Sequence, residues 1–308
     1  MKFKLLIFLT TLAGFVISCS LSKPSVKEKD MKVDLQYLKD WGNGVNFQPS
    51  YYNGGNPNLA LSLLKEQSKI KTIRLEIEPD KVEQAKLWIA QIKAHGYNLI
   101  CTYHKYKVLG KDDANELLAA ANWWKANFKE LSASSTFVIN LMNEWGSHKL
   151  TASDYAKAYN EAIAIVRTVY KGPIIIDISG WGQETYIAYQ ACTSSNPKIL
   201  DNNVVLSTHI YPVGWNAGRN HWVEKSDIDD LIRTGRPVIV GEFGSEGNGM
   251  CNWSDCVDYA KSKGLLLLGW CWNGDGGGMN MISPAWVKDS TAVKFELSPY
   301  FKVVYDKL

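Results

Sequence analysis

Short apolar runs alternate with longer amphipathic stretches through most of this chain, and the alternation repeats eight times. Runs rich in Val, Ile and Leu fall near Gly44–Phe47, Thr72–Ile77, Asn98–Tyr103, Phe137–Asn143, Pro173–Ile178, Val204–His209, Pro237–Glu242 and Leu265–Trp272. Each is short for a buried helix and reads as a strand covered on both faces. Between them apolar residues recur at helical spacing, most clearly over Lys81–His95, Ala114–Leu131, Ala152–Tyr170 and Cys256–Lys263, with a closing helix around Tyr300–Leu308. Strands separated by helices pair in parallel, and eight such units predict a closed (β/α)8 barrel in one domain. A doubly wound sheet is the alternative. It would call for a phosphate-binding fingerprint, and Gly276-Gly277-Gly278 lacks the Lys-Ser/Thr that completes one.

The first residues break the pattern. Lys2 and Lys4 precede an apolar run from Leu5 to Ile17 that ends at Ser18-Cys19. A basic start and a run of this length fit an export signal better than a membrane span, which needs about 20 apolar residues. The V-I-S-C ending resembles the lipobox of bacterial lipoproteins, which implies cleavage after residue 18 and lipid on Cys19. Residues 19–32 are polar and charged and read as a flexible tether. The expected barrel domain is then 33–308, in an exported, membrane-anchored lipoprotein at the periplasm or cell surface.

Composition narrows the partners. Without Lys2 and Lys4, the 34 basic side chains fall to 32, against 31 acidic ones. A nearly neutral chain has no electrostatic bias toward nucleic acid, and a monomer is expected. Cys101 and Cys271 fall in apolar strands and read as buried hydrophobes, while a bridge between Cys251 and Cys256 stays open. No CxxC pair, HExxH or His/Cys cluster supports a metal, and no cofactor is implied. The 12 Trp and 15 Tyr residues suit stacking on sugar rings, but equally a large core.

Two strands finish against their own hydrophobicity. VINLMNEW places Asn143 before Glu144, and PVIVGEFG places Glu242 at the end of an apolar run. An unpaired buried carboxylate costs several kcal/mol or shifts its pKa, so such residues need a purpose. In a parallel barrel the C-terminal strand ends form the active site. Those ends here carry Arg74 and Glu76, His104, Asn143-Glu144, His209 and Tyr211, Glu242, and Trp270 and Trp272. Period-two alternation puts His209 and Tyr211 on one face, and likewise Trp270 and Trp272. Two converging carboxylates are the minimal equipment for hydrolysing a glycosidic bond.

The set Arg74, His104, Asn143-Glu144, His209-x-Tyr211, Glu242 and Trp270 resembles glycoside hydrolase family 5, across essentially the whole chain from Val33 onward. The resemblance implies a retaining mechanism in which Glu144 is the acid/base and Glu242 the nucleophile. It further implies that Arg74 and Tyr211 support Glu242, Asn143 binds the sugar 2-OH, His209 sets the protonation of Glu144, and His104 and Trp270 hold the sugar. Glu76 and Glu78 match nothing in that pattern and are left as subsite groups or salt-bridge partners. Asn46, Tyr51 and Tyr52 are expected to line distal sugar sites.

Three segments lean toward bacterial β-1,4-mannanases: Trp145-Gly146 after Glu144, the DISGWGQE run with Trp181, and GWCWNG with Trp270 and Trp272. An endo-β-1,4-mannanase acting on a β-1,4-linked polysaccharide is therefore expected, with an endo-β-1,4-glucanase as the alternative. A surface glycan-binding lipoprotein without catalysis is the reading from another class. It would tolerate loss of either carboxylate, and both are present.

Overall fold

The computed structural model describes residues 40–245 and 247–308. The expected leader 1–18, Cys19, the tether 19–32 and the domain start at Val33 lie outside the described residues. Eight strands follow in chain order: β1 (Gly44–Phe47), β2 (Thr72–Ile77), β3 (Asn98–Tyr103), β4 (Val138–Asn140), β5 (Ile174–Asp177), β6 (Val204–Ile210), β7 (Val238–Phe243) and β8 (Leu266–Asn273). Every neighbouring pair is parallel, and β8 closes onto β1, completing the expected barrel.

Strand β2 displays how the sequence builds both faces. In TIRLEI all six residues are buried, with Ile73, Leu75 and Ile77 in the core shared with the helices. Thr72, Arg74 and Glu76 alternate with them and face the barrel axis. The interior is therefore split by height. Ile100, Val138, Ile175, Val205, Ile239, Leu266 and Leu268 form a separate apolar cluster toward the N-terminal strand ends, with Trp41 packed against it. Above that plug the inward residues are polar, among them Asn46, Arg74, Glu76, Asn140, Asp177 and His209, all fully buried. A fully buried polar layer needs hydrogen-bond partners for its groups.

The helices of five residues or more are α1 (Leu61–Lys65), α2 (Val82–Ala94), α3 (Ala114–Leu131), α4 (Ala152–Val166), α5 (Thr185–Thr193), α6 (Lys225–Ile232), α7 (Trp253–Ser262) and α8 (Phe301–Tyr305). Several start where side chains accept orphan N–H groups: Asp113 from Asn115, Thr151 from Asp154 and Asn252 from Asp255. Among the described residues, no helix is long and apolar enough to cross a membrane. Cys251 and Cys256 are both buried and both free thiols, so the bridge left open by the sequence is not formed. Cys101 and Cys271 are fully buried, as their strands require.

Candidate active site

A cleft of about 580 Å³ opens at the C-terminal strand ends, and Asn143, Glu144, Tyr211, Glu242, His104 and Trp270 all line it. Its floor is the polar layer, organised by Arg74. This guanidinium is fully buried and has six acceptors: Asn140 Oδ1 (2.8 Å) at Nε; Asn46 Oδ1 (3.0 Å), Glu76 Oε1 (2.9 Å) and Glu242 Oε1 (2.8 Å) at Nη1; Asn143 Oδ1 (2.6 Å) and Asp177 Oδ2 (3.1 Å) at Nη2. A buried cation is tolerable only with such partners. Three carboxylates surround one guanidinium, which ties β1, β2, β4, β5 and β7 to a common point.

Glu242 receives two hydrogen bonds, from Arg74 on Oε1 and from the Tyr211 hydroxyl on Oε2, both at 2.8 Å. A register shift between Thr208 and His209 brings His209 level with Glu242. The His209 ring then lies between the two carboxylates, with Nδ1 2.8 Å from Glu144 Oε1 and 3.6 Å from Glu242 Oε2. The approach of the next loop to this ring requires Gly182, at φ +78°, because a side-chain carbon there would come within 2.6 Å of His209. Glu144 itself adopts a positive φ of 46°, held by its N–H donating to Asp177 Oδ2 at 3.1 Å.

The ligand atoms of Glu144, His209 and Glu242 lie within 4.8 Å of one another. Oxygens this close suit a pair spaced for direct attack, about 5–5.5 Å between carboxyl groups, better than the wider gap that admits a water. The same three residues have the spacing of metal ligands. Arg74, however, already sits on Glu242, so a cation would meet a fixed positive charge there.

Electrostatics bear on Glu144 and on the groups around it. Burial, then the charge of Glu242, raises the Glu144 carboxyl above its ordinary range, only partly offset by His209. For His209, burial opposes protonation, but Glu242 and Asp177 overcome it and lift the imidazole to about 10. Burial also works against the Asp177 anion, yet Arg74, His209 and the Glu144 N–H hold its carboxyl well below the usual range. One carboxyl biased toward its acid form beside one carboxyl clamped by two donors is the equipment of acid-assisted displacement.

The remaining expected residues divide. Asn143 is pinned by its oxygen to Arg74, which leaves its amide N–H groups for the cleft. His104 contacts Glu76 Oε2 through Nε2 (3.2 Å) and the Tyr51 hydroxyl through Nδ1 (2.5 Å). Trp270 donates from Nε1 to Asp275 Oδ1 (3.0 Å), and Asp275 and Gly276-Gly277 of the glycine run line the cleft beside it. Tyr51 and Tyr52 line it too. Trp272 does not. It is fully buried, stacked on Phe47 and donating to Leu59 O, so its place is the core. Strict alternation with Trp270 therefore fails in the segment of β8 where its register with β1 is irregular.

Asn46 is likewise corrected from a cleft position to the floor, where it donates to Gly241 O, Leu268 O and Gly269 O. Trp181 is 40% exposed but stands outside the cleft lining, over Gly110 and against His148. Gly110 N–H donates to Glu144 O at 2.8 Å, so Trp181 flanks the Glu144 side. The sequence reading missed Asp177, although IIID ends in a carboxylate by the same logic as Glu242, and missed Tyr106 on the cleft wall.

The family described as cellulase (glycosyl hydrolase family 5) matches residues 25–276. A mannan endo-1,4-β-mannosidase of Streptomyces lividans is 29% identical over 204 residues, covering 63% of this chain and 51% of that protein. The chain thus spans about half the length of this curated relative. The catalytic domain of a mannanase from Streptomyces sp. SirexAA-E aligns at TM-score 0.68 and 21% identity, over 87% of this chain and 84% of that one. The catalytic domain of an endoglucanase from Thermobifida fusca aligns at TM-score 0.67 and 15% identity, over 86% and 90%. Both structural likenesses establish the shared barrel.

Proposed function

This chain belongs to the cellulase family, glycosyl hydrolase family 5, and from that membership we propose that it is a retaining endo-β-1,4-mannanase. The observation that carries the mechanism is the pair Glu144 and Glu242, with oxygens within 4.8 Å, the first carboxyl raised by burial and the second ion-paired to Arg74 and hydrogen-bonded by Tyr211. Glu242 attacks the anomeric carbon of the sugar bound in the cleft, and Glu144 gives its proton to the departing oxygen. A covalent glycosyl-enzyme results. Glu144, now a base, takes a proton from water as that water displaces Glu242. Asn143 offers its N–H to the sugar 2-OH, an interaction that strengthens in the oxocarbenium-like transition state. His104 and Trp270 hold the ring at the cleavage point.

The mannan preference is supported by the Streptomyces lividans relative, named for that activity, and by the Trp145-Gly146, DISGWGQE and GWCWNG segments. An endo-β-1,4-glucanase is the second reading, favoured by the endoglucanase that shares the barrel. Reducing-sugar release from mannan, glucomannan, carboxymethyl cellulose and xylan decides between them. The mannanase reading expects kcat/KM on β-1,4-mannan at least about tenfold above that on carboxymethyl cellulose, about 1.4 kcal/mol of differential transition-state binding. Comparable or reversed rates transfer the protein to the glucanase reading, and no hydrolysis of any glycan leaves a binding protein. The reading also includes cleavage after residue 18, lipid on Cys19, and a monomer tethered to the membrane by residues 19–32.

A further inference from the structure

The cleft is lopsided. Apart from Asn143, Glu144, Tyr211 and Glu242, its lining comes from β8 and from the loops after β8, β1 and β3. Strands β8, β1, β2 and β3 are consecutive around the barrel, so this lining is one arc of the rim. Two tyrosines on the arc keep much of their surface in the open: Tyr106, after β3, is 68% exposed, and Tyr51, after β1, is 41% exposed. Their rings meet edge to face, with centroids 6.3 Å apart at 71°. Both are fastened to a carboxylate that the double displacement leaves unused. Glu78 Oε1 accepts from the Tyr106 N–H at 2.8 Å and from the Tyr51 hydroxyl, and the Glu78 N–H donates to Ser50 Oγ at 3.0 Å. The loops after β1, β2 and β3 are thereby tied together beneath two exposed aromatic rings. On the β8 side of the arc, Gly276 takes no left-handed φ and has no atom within 4 Å of the place where a side chain would begin. Neither backbone nor packing calls for glycine there, and the missing side chain leaves the cleft open to a ligand.

We propose that Tyr106, braced by Tyr51, is a stacking platform for a glycan sugar on the non-reducing side of the cleavage point, and that Glu78 is the positioning residue that holds the platform. This rests on the reading of Glu144 and Glu242 as the catalytic pair and deepens it by giving the cleft a polarity. The anomeric carbon C1 of the reacting sugar faces that pair. In a β-1,4-linked chain C4 lies at the opposite end of the same ring, so the next sugar toward the non-reducing end leaves the pair and enters the arc. The faces of a sugar ring present C–H groups and its hydroxyls lie around the edge, which suits an amphipathic phenol ring open on one face. A fixed ring loses little conformational entropy on binding, and that is what the Glu78 contacts supply.

The test uses aryl β-glycosides carrying one to four β-1,4-linked sugars, in a manno and a gluco series. The aryl group occupies the leaving-group side, so every added sugar extends the substrate toward its non-reducing end. In the series that the wild type cleaves better, kcat/KM for aryl release is expected to rise with length. Tyr106→Ala is expected to lower the ratio of kcat/KM between the longest and the shortest cleaved substrates by about tenfold. A residue this exposed can be truncated without loss of the fold, and a general fault in the loop would lower both substrates alike. A wild-type rate that ignores length, or an unchanged ratio in Tyr106→Ala, overturns the platform. Glu78→Ala is expected to lower the same ratio, and Glu78→Gln, which keeps an acceptor for Tyr51 and Tyr106, to restore most of it; failure of either removes Glu78 as the positioning residue. If the wild type cleaves neither series, the reading of the catalytic pair fails and this proposal falls with it, whereas cleavage with an unchanged ratio in Tyr106→Ala removes the platform alone.

Discussion

Removing the Tyr211 hydroxyl isolates one half of the support under Glu242. In Tyr211→Phe the ring still fills its place, but Glu242 Oε2 loses its 2.8 Å donor. His209 Nδ1, at 3.6 Å, is too far to replace it as a hydrogen-bond donor. Oε1 keeps Arg74. A hydrogen bond to a charged group contributes about 1.5–3 kcal/mol, equivalent to about 10- to 150-fold in rate. Its effect has a direction. Glu242 loses negative charge as it bonds to the sugar and regains it as water displaces it, so a donor to that carboxylate assists mainly the second displacement. On an aryl glycoside with a good leaving group, kcat should fall by about 10- to 150-fold, KM should fall with it, and kcat/KM should change much less. A burst of released phenol should precede the slow steady state, because the glycosyl-enzyme accumulates. Stopped-flow absorbance measures both phases. If kcat/KM falls as far as kcat and no burst develops, Tyr211 assists attack rather than release, and the charge returning to Glu242 is not what its hydroxyl stabilises.

Two further outcomes follow from the same reading. With that activated glycoside, Glu144→Ala should form the intermediate and stall, and azide should release a β-configured glycosyl azide; Glu242→Ala with azide should give the α product, as identified by NMR. Identical anomers from the two variants would dismiss the division of roles between Glu144 and Glu242. Cys19→Ala should move the protein from the membrane fraction to the soluble fraction, with activity on soluble glycan intact, and an unchanged membrane fraction would remove the lipid anchor.

The barrel was legible because its strands are buried on both faces. Runs such as TIRLEI and NLICTY carry their bounds in composition alone, and β1, β2 and β3 match expectation residue for residue. Strand β4 is shorter than the expected Phe137–Asn143 because the chain bends toward the positive φ of Glu144, although Leu141 and Asn143 still donate to Ile175 O and Tyr103 O. Helices α5 and α6 escaped notice for different reasons. TYIAYQACT has no side-chain cap at its start, and KSDIDDLI buries little apolar surface beyond Ile228 and Leu231. The capping box of Glu224 and Asp227 that starts α6 is visible only when an acid at the first position is accepted in place of Ser or Thr.

The site was legible where a polar residue ends an apolar strand, and obscure where two strands change register. Alternation alone puts Trp270 and Trp272 together, yet between Val45 and Phe47 on β1 the partner on β8 advances from Gly269 to Asn273. In that irregular segment Trp270 stays on the cleft while Trp272 lies against Phe47 in the core. The opposite happens at β6 and β7, where the shift after Thr208 sets His209 beside Glu242. No single-strand pattern contains either shift, because register belongs to pairs of strands. Asp177 is a different omission. It obeys the single-strand rule, an acid closing IIID, and it contacts Arg74 and the Glu144 N–H. Its need was masked because the sequence offers no hint that it shares one arginine, on a strand three positions away in the sheet order, with Glu76 and Glu242.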